Sequence, residues 1–596
     1  MKASDPQMGS TQSDHSKWWT TGVISLLILF LIKMFFIPAF DFDESIYIQM
    51  AKEMHVRQGL IVVPTWDATP YHHKPPFYLW VIEFFWELKK QVGLENVSGM
   101  ARLFSFFCLM ASGWVGAHYF PSLTSVTPKG PPPPSDRFAN RFKILMLFSL
   151  LSPYLLMGSS LILLDPLLCF FLLLTYLGMG KKLQKLSVGQ TPSTLSWGMI
   201  GGVAGATAVK GLIGVVLPMG GLVCYLIFSY WNIPSSKRLS WIFQVAKCML
   251  PSLILGSVIA LFYYGFIYLS GGKEFVIDFF WVHHFGRSTT AMEGHSGPIW
   301  TYLLVMILSG GPLVWIWNLF LAQHLRRASF KDLPASFQFL FGSVFFIICF
   351  FSLLATKLPN YIWPALQLFP VMTLILLVQN EKHFPSQPLQ SSSGKVIGYL
   401  VAKTSLLWKA SVWVVFAVLL SLLAIAFLIS TTLIPFSFRE KWNWVLGDVS
   451  IPYVSWAISL LVIGMISWRL KRLFHKAPSQ QWNLWHHYLL KMTALHLSLF
   501  VILLYIMFPW ILRFTHSPLQ EVTKYLVSSG ATEVGTLKLM SPTFSNYFFP
   551  GTLRQHTDEG AFQYPYVVTY VWKKDVCEKN HYQDIKTVHF YIICKR

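Results

Sequence analysis

Apolar runs of about twenty residues recur from residue 21 to residue 513, and the basic residues fall mostly in the short segments between them. A bilayer core takes ~20 apolar residues per helix, so this repetition predicts a polytopic α-helical membrane protein. The composition points the same way. The chain is 54% hydrophobic and only 12% charged, against ~25% charged in ordinary soluble proteins. A net charge of +21 raises the question of nucleic acid. The lysines and arginines instead form the clusters that set membrane orientation, so no nucleic acid is expected. The first run is long and lacks a small-residue cleavage site, which reads as a first transmembrane helix.

Thirteen spans are predicted, at 21–39, 103–120, 143–157, 159–179, 195–209, 211–230, 248–270, 301–322, 337–355, 360–379, 410–433, 453–469 and 491–513. Basic clusters follow spans two, four, six, eight and twelve, including Lys181, Lys182 and Lys185 after the fourth. The positive-inside rule makes those loops cytoplasmic, and the Pro-rich 131–137 a cytoplasmic linker. The opposite, extracytoplasmic face then carries the loops 40–102, 271–300 and 355–360 and the tail from 514. Within 40–102, the stretches 46–54 and 77–89 are too short to span and read as amphipathic helices in the interface. The tail reads as a small α+β domain. Its "EVTKYLVSSG" has a helix pattern with a Gly stop, and "EVGTLKL", "YPYVVTYVW" and "VHFYIICKR" are strand-like. Cys577 and Cys594 lie in this tail; two cysteines alone leave a disulfide open. The predicted organisation is therefore a cytoplasmic tail at 1–20, a catalytic membrane domain at 21–400, further helices at 401–513 and the small domain at 514–596.

The outer face also collects the chemistry. "FDFDESIYIQM" places Asp41, Asp43 and Glu44 at the mouth of the first helix. Acids at a helix start suit its dipole, but a carboxylate beside apolar surface can also serve as a general base. "HHKPPFYLW" adds His72, His73 and Lys74, and "WVHHFGRS" adds His283, His284 and Arg287. Lys210 falls at an outer turn, Lys357 in "TKLPNY", and Asp165 about two turns inside the fourth span. An ionisable residue at that depth is a site hypothesis by default. Singly, such lysines often snorkel to the interface. Together, the cations Lys74, Lys210, Arg287 and Lys357 suit a phosphate held at the membrane surface, with Arg able to grip it bidentately.

The order "DFDESIYIQMAKEM", "GLIVVP", "YHHKPPFYLW" and "ARLFS" resembles the first outer loop of the integral-membrane glycosyltransferases with a C-type (GT-C) fold. It is most similar to the branch that contains the bacterial aminoarabinose transferases of lipid A; the protein O-mannosyltransferases are more distant. Asp43, Glu44, Tyr47, Lys74, Pro75, Pro76 and Trp80 match the family pattern. "LLDPLL", "VKGLIGVVLP", "HHFGRS", "GHSGPIWTYL", "GGPLVW" and "ATKLPNYIWPALQLFP" match later segments in order, so the resemblance covers roughly 40–370.

The resemblance implies an inner-membrane enzyme with a periplasmic active site. The implied donor is a sugar on polyprenyl or undecaprenyl phosphate, and the acceptor lipid A, another lipid, a glycan or a protein. Asp43, with Glu44 beside it, becomes the catalytic carboxylate. Lys74 and Arg287 become the phosphate grips, with Lys210 and Lys357 as the further cations on that face, and Tyr47, Asp165 and Trp80 contact substrate; Asp165 and Lys210 rank second, positioning the donor or forming a structural pair with other buried polar groups. His284 matches a family histidine able to ligate a divalent metal (Zn, Mg or Mn). His73 stands where relatives tend to have Glu, so that a Glu–His pair becomes His73–His284, which still suits zinc, and Ser45-Ile46 stand where Arg is usual. No nucleotide is expected. A transporter or flippase of lipid-linked sugars is the rival reading; it favours internal repeats, which the sequence lacks.

Overall fold

The computed structural model describes residues 7–382 apart from short breaks, the greater part of 489–501, and most of 517–596. Helices dominate. In chain order they are α1 (Gln7–Phe36), α2 (Phe42–Arg57), α3 (Phe77–Val92), α4 (Val97–Thr124), α5 (Phe138–Leu150), α6 (Pro153–Gly158), α7 (Asp165–Ser187), α8 (Trp197–Lys210), α9 (Ile213–Tyr230), α10 (Arg238–Leu269) and α11 (Lys273–Phe280). The series continues with α12 (Thr301–Leu325), α13 (Ala335–Leu353), α14 (Trp363–Leu366) and α15 (Phe369–Lys382). Among the described residues, seven helical segments are long and apolar enough to cross a membrane. The chain is an integral membrane protein. The expected spans at 410–433 and 453–469, and most of 491–513, lie outside the described residues.

Two of the expected spans have different ends. The stretch read as 143–157 is broken after Leu150, where the Ser152 hydroxyl caps the Leu155 N–H and Pro153 opens α6. The next membrane helix starts only at Asp165, with Pro166 behind it. Asp165 therefore stands at a helix N-terminus, where the dipole favours a carboxylate, and not two turns inside a span. At the far end of α7, Lys182 is no loop residue. It is buried, and its Nζ donates to the carbonyls of Thr194 and Cys248 at 2.8 and 2.7 Å and to the Ser252 hydroxyl at 3.3 Å. Those three acceptors match the three N–H groups of an ammonium.

Small residues bring the helices together. A Cβ on Gly202 of α8 would stand 2.7 Å from the Phe171 carbonyl of α7, so these backbones touch directly, as membrane helices with small contact residues do.

The two short stretches of the first loop are both helical but differ in kind. On α3, Tyr78, Leu79 and Ile82 are buried while Phe84 is exposed, as the amphipathic reading expects. On α2, every residue from Glu44 to Ala51 is buried. The first half of this helix is enclosed, whereas Lys52, Val56 and Arg57 in its second half are exposed. A two-stranded ribbon, β1 (Thr65–Trp66) with β2 (Thr69–Pro70), leads from α2 towards α3.

The tail folds as α16 (Ser517–Ser528), β3 (Glu533–Leu537), β4 (Thr552–His556), β5 (Tyr566–Tyr570), α17 (Lys574–Lys579), β6 (Gln583–Val588) and β7 (Tyr591–Lys595). The sheet order is β4-β3-β5-β7-β6, parallel at β4-β3-β5 and antiparallel beyond. Strands β4 and β6 carry little apolar alternation and were not expected. Cys577 of α17 and Cys594 of β7 form a disulfide, 17 residues apart in sequence. Closing a loop of that size removes about 3 kcal/mol of unfolded-chain freedom, so reduction should destabilise the small domain by about 2–3 kcal/mol. Alkylation under denaturing, non-reducing conditions should label five of the seven cysteines by intact mass; seven labels would remove the disulfide.

Candidate active site

The first turn of α2 is anchored by charge. Glu44 is fully buried, and Arg102 of α4 grips it with two bonds, Nε to Oε1 at 3.0 Å and Nη2 to Oε2 at 2.6 Å. The Ile162 N–H, in the link before α7, donates to the same Oε1 at 2.8 Å. Arg102 Nη1 donates to the Met34 carbonyl at 2.9 Å and to that of Ile37. Glu44, expected as a catalytic carboxylate beside Asp43, is thus corrected to a closed structural group: both of its oxygens are engaged and neither reaches solvent. Asp43, one residue earlier, is only half buried.

Tyr47 lies one helical turn after Asp43 and packs edge-on against Tyr78 of α3, with ring centroids 5.6 Å apart. Burial first, and then the charges of Asp43 and of Asp165, push its phenol well above the ordinary tyrosine value. Burial likewise raises Tyr78, with smaller contributions from Glu44 and Asp165. The acids of α2 and the N-terminus of α7 therefore share one neighbourhood around two neutral phenols.

A cavity of about 290 Å³ opens beside this cluster. Its polar lining is His73, Lys74, Asp165, Lys210, His283, His284, Asn360 and Tyr361, and its apolar lining includes Leu212, Ile213, Val216, Phe350, Phe351 and Leu354. Lys210 Nζ bonds Asp165 Oδ1 at 2.6 Å and lies 5.3 Å over the Tyr361 ring. Asn360 Nδ2 donates to Asp165 Oδ2 at 3.1 Å. The carboxylate accepts from both, which commits one of the three ammonium donors of Lys210 and keeps its charge in the cavity lining.

The double proline explains how Lys74 arrives there. Pro75 and Pro76 are buried, and Pro76 stands at the N-cap of α3. The preceding loop is pinned from two sides, by His72 Nδ1 against Asp278 Oδ2 of α11 at 2.7 Å and by the Trp80 indole N–H on the Ile61 carbonyl at 2.9 Å. Trp80, expected to contact substrate, is spent on this loop and packs on Tyr263. Lys357 also differs from expectation. Its Nζ donates to the carbonyls of Ser352 and Leu354, at 2.9 and 2.6 Å, and so caps the end of α13. Arg287 lies outside the described residues. Asn360, Tyr361 and Arg102 were not singled out from the sequence; an Asn three residues beyond Lys357 and an Arg near the start of a span were the available signals.

The metal expectation rested on His284 and His73. His284 Nδ1 meets the Phe279 carbonyl at 2.9 Å and its Nε2 meets the Lys210 carbonyl at 3.3 Å. A carbonyl is satisfied only by an N–H, so the ring is turned to backbone on both sides. His73 stacks between Tyr71 and His283, at 4.6 and 4.0 Å between centroids. No group of three or more His, Cys, Asp or Glu stands ready for a metal ion among the described residues. The side chains as placed do not form that site, and no step of the reaction is routed through it.

Gly211 carries the turn from Lys210 into α9 at φ +68°, and a Cβ there would lie 2.4 Å from His284 Nε2. Gly211→Ala should therefore cost about 1–3 kcal/mol and push Lys210 off Asp165. A lowered melting temperature checks this; an unchanged one would contradict it.

No family model matches the sequence. Among curated proteins, the chain is 22% identical over 399 residues to the undecaprenyl phosphate-alpha-4-amino-4-deoxy-L-arabinose arabinosyl transferase of Wigglesworthia glossinidia brevipalpis, covering 66% of this chain and 64% of that protein. It is 26% identical over 356 residues to the protein of the same name from Shewanella sediminis, covering 57% and 56%. The chain thus spans less than two thirds of these relatives' length. Among solved structures, ArnT from Cupriavidus metallidurans bound to undecaprenyl phosphate superposes with a TM-score of 0.66 at 16% identity, covering 97% of this chain and 98% of that one. The fold is that of a C-type membrane glycosyltransferase. The apo form of the same ArnT agrees, with a TM-score of 0.62 at 17% identity and 97% of each chain. Within this GT-C fold, the cavity lies between the first outer loop, α7, the α8–α9 turn and the start of α14.

Proposed function

We propose that the chain transfers a sugar, 4-amino-4-deoxy-L-arabinose by analogy with its relatives, from undecaprenyl phosphate to lipid A at the extracytoplasmic face of the membrane. One observation carries the reading: a cavity lined both by two lysines, Lys74 and Lys210, and by apolar side chains of α9 and α13. That matches an amphiphile with a phosphate head and an isoprenoid tail, such as the undecaprenyl phosphate bound to ArnT of Cupriavidus metallidurans.

The reaction is a single displacement. An acceptor oxygen attacks the anomeric carbon as the bond from that carbon to the donor phosphate oxygen breaks, and undecaprenyl phosphate leaves with the electron pair. Asp43 takes the acceptor proton where the acceptor carries one, and orients the oxygen. Lys74 and Lys210, with Arg287 as the resemblance assigns it, neutralise the charge that develops on the leaving phosphate. Asp165 and Asn360 hold Lys210 in place. Glu44 and Lys357 act structurally.

The test is mass spectrometry of lipid A after incubation with the reconstituted chain and undecaprenyl-phosphate aminoarabinose. A sugar-sized mass gain supports the reading. Unchanged lipid A with the donor carried across the vesicle in the absence of acceptor would instead mark a transporter. Lys74→Ala should raise the donor KM about tenfold or more, in line with ~1.5–3 kcal/mol for a hydrogen bond to a charged group, with a smaller change in kcat. An unchanged KM would take Lys74 out of the phosphate site.

A further inference from the structure

We propose that Glu44 and Arg102 are a positioning pair for Asp43, aiming its carboxylate at the link that carries Asp165; this rests on Asp43 being the base. The pair is bonded bidentately, and both side chains are essentially fully buried, at 0 and 1% exposure. Such a pair is weak evidence for stability, because well-packed apolar residues of the same volume serve as well or better. Its distinctive property is direction. Two parallel bonds fix both the distance and the rotation of a carboxylate relative to a guanidinium.

Here that direction is transmitted to four segments. Arg102 also donates to the carbonyls at the end of α1, Met34 and Ile37, and Glu44 also accepts from Ile162. Glu44 is the immediate neighbour of Asp43, and Ile162 lies three residues before Asp165. The first turn of α2 is thereby locked to the start of α7. Glu44, one residue after Asp43, is thus tied to Arg102 of α4 and to the Ile162 N–H, both outside α2. Neither charge lines the cavity, so neither touches the donor there.

Arg102→Lys keeps the charge and one bond but loses the fork. In the full chain reconstituted with undecaprenyl-phosphate aminoarabinose and lipid A, it should lower kcat about 100-fold, the scale set by a misplacement of ~1 Å. The donor KM should stay within about threefold, and binding of undecaprenyl phosphate should not change. The deciding readout is the double variant. If Arg102 acts through Asp43, adding Arg102→Lys to Asp43→Asn should change kcat less than twofold, as expected for residues that act as a unit. An equal, additive loss in both backgrounds would reduce the pair to a structural support and overturn the proposal, as would a kcat within threefold of the parent. Should Arg102→Lys fail to fold by thermal unfolding, Glu44→Asp, which keeps the charge and withdraws the carboxylate by one methylene, carries the same test. Failure of the base assignment is separate: Asp43→Asn alone would then be near-normal in rate, and the positioning role falls with it.

Discussion

Asp43→Asn is expected to lower kcat by about 10²–10⁴, the usual contribution of a positioned general base, with the donor KM within a few-fold of the parent. Asn keeps the size of the side chain and its place on the first turn of α2, so Tyr47 and the buried Glu44–Arg102 pair should be undisturbed. The carboxylate is half buried on the first turn of α2 and is not part of the lining of the proposed donor cavity, so the proposal assigns it to the acceptor. Loss of rate without loss of donor affinity is thus the signature of a group that serves the acceptor. Single-turnover kinetics with preloaded donor would check this. A rate within threefold of the parent would remove Asp43 as base, and a parallel collapse of donor affinity would move it into the donor site.

Breaking the Lys210–Asp165 pair is expected to be nearly as severe but to show itself differently. Removing one member of a buried pair leaves an uncompensated charge, at about 3–5 kcal/mol. Asp165 is buried and, among the described residues, its second oxygen accepts from a neutral amide, that of Asn360. Lys210→Met should therefore lower the melting temperature by several degrees and weaken undecaprenyl phosphate binding at least tenfold. Adding Asp165→Asn removes the stranded charge, so the double variant should regain most of the stability while binding stays weak. Recovery of both would show that Lys210 is a structural cation. Recovery of neither would show that the pair is not what holds α7 to the α8–α9 turn.

Much of this chemistry was legible in the chain. Lys74 was placed in the cavity lining by the prolines behind it, and Lys210 and Asp165 were each visible as costly charges in apolar surroundings. The misreadings have local causes. Glu44 looked like a second catalytic acid because its partner is 58 residues away, beyond any helical spacing. The stretch 46–54 looked interfacial because its apolar residues fit a surface helix, whereas its residues from Ile46 to Ala51 are buried, with Tyr47 packed on Tyr78. Lys357 and Lys182 looked available as ordinary surface or loop cations; carbonyls at the end of α13 took up the first, and those of Thr194 and Cys248 the second.

What the sequence determined by itself is the class of fold, because it follows from hydropathy and charge counted along the chain, and a bilayer leaves few other solutions. What only the tertiary structure decided is the division of labour among the polar groups. Whether a buried acid is a base, a salt-bridge partner or a helix cap depends on which donors stand within about 3 Å of it, and those donors come from segments that the sequence places far apart.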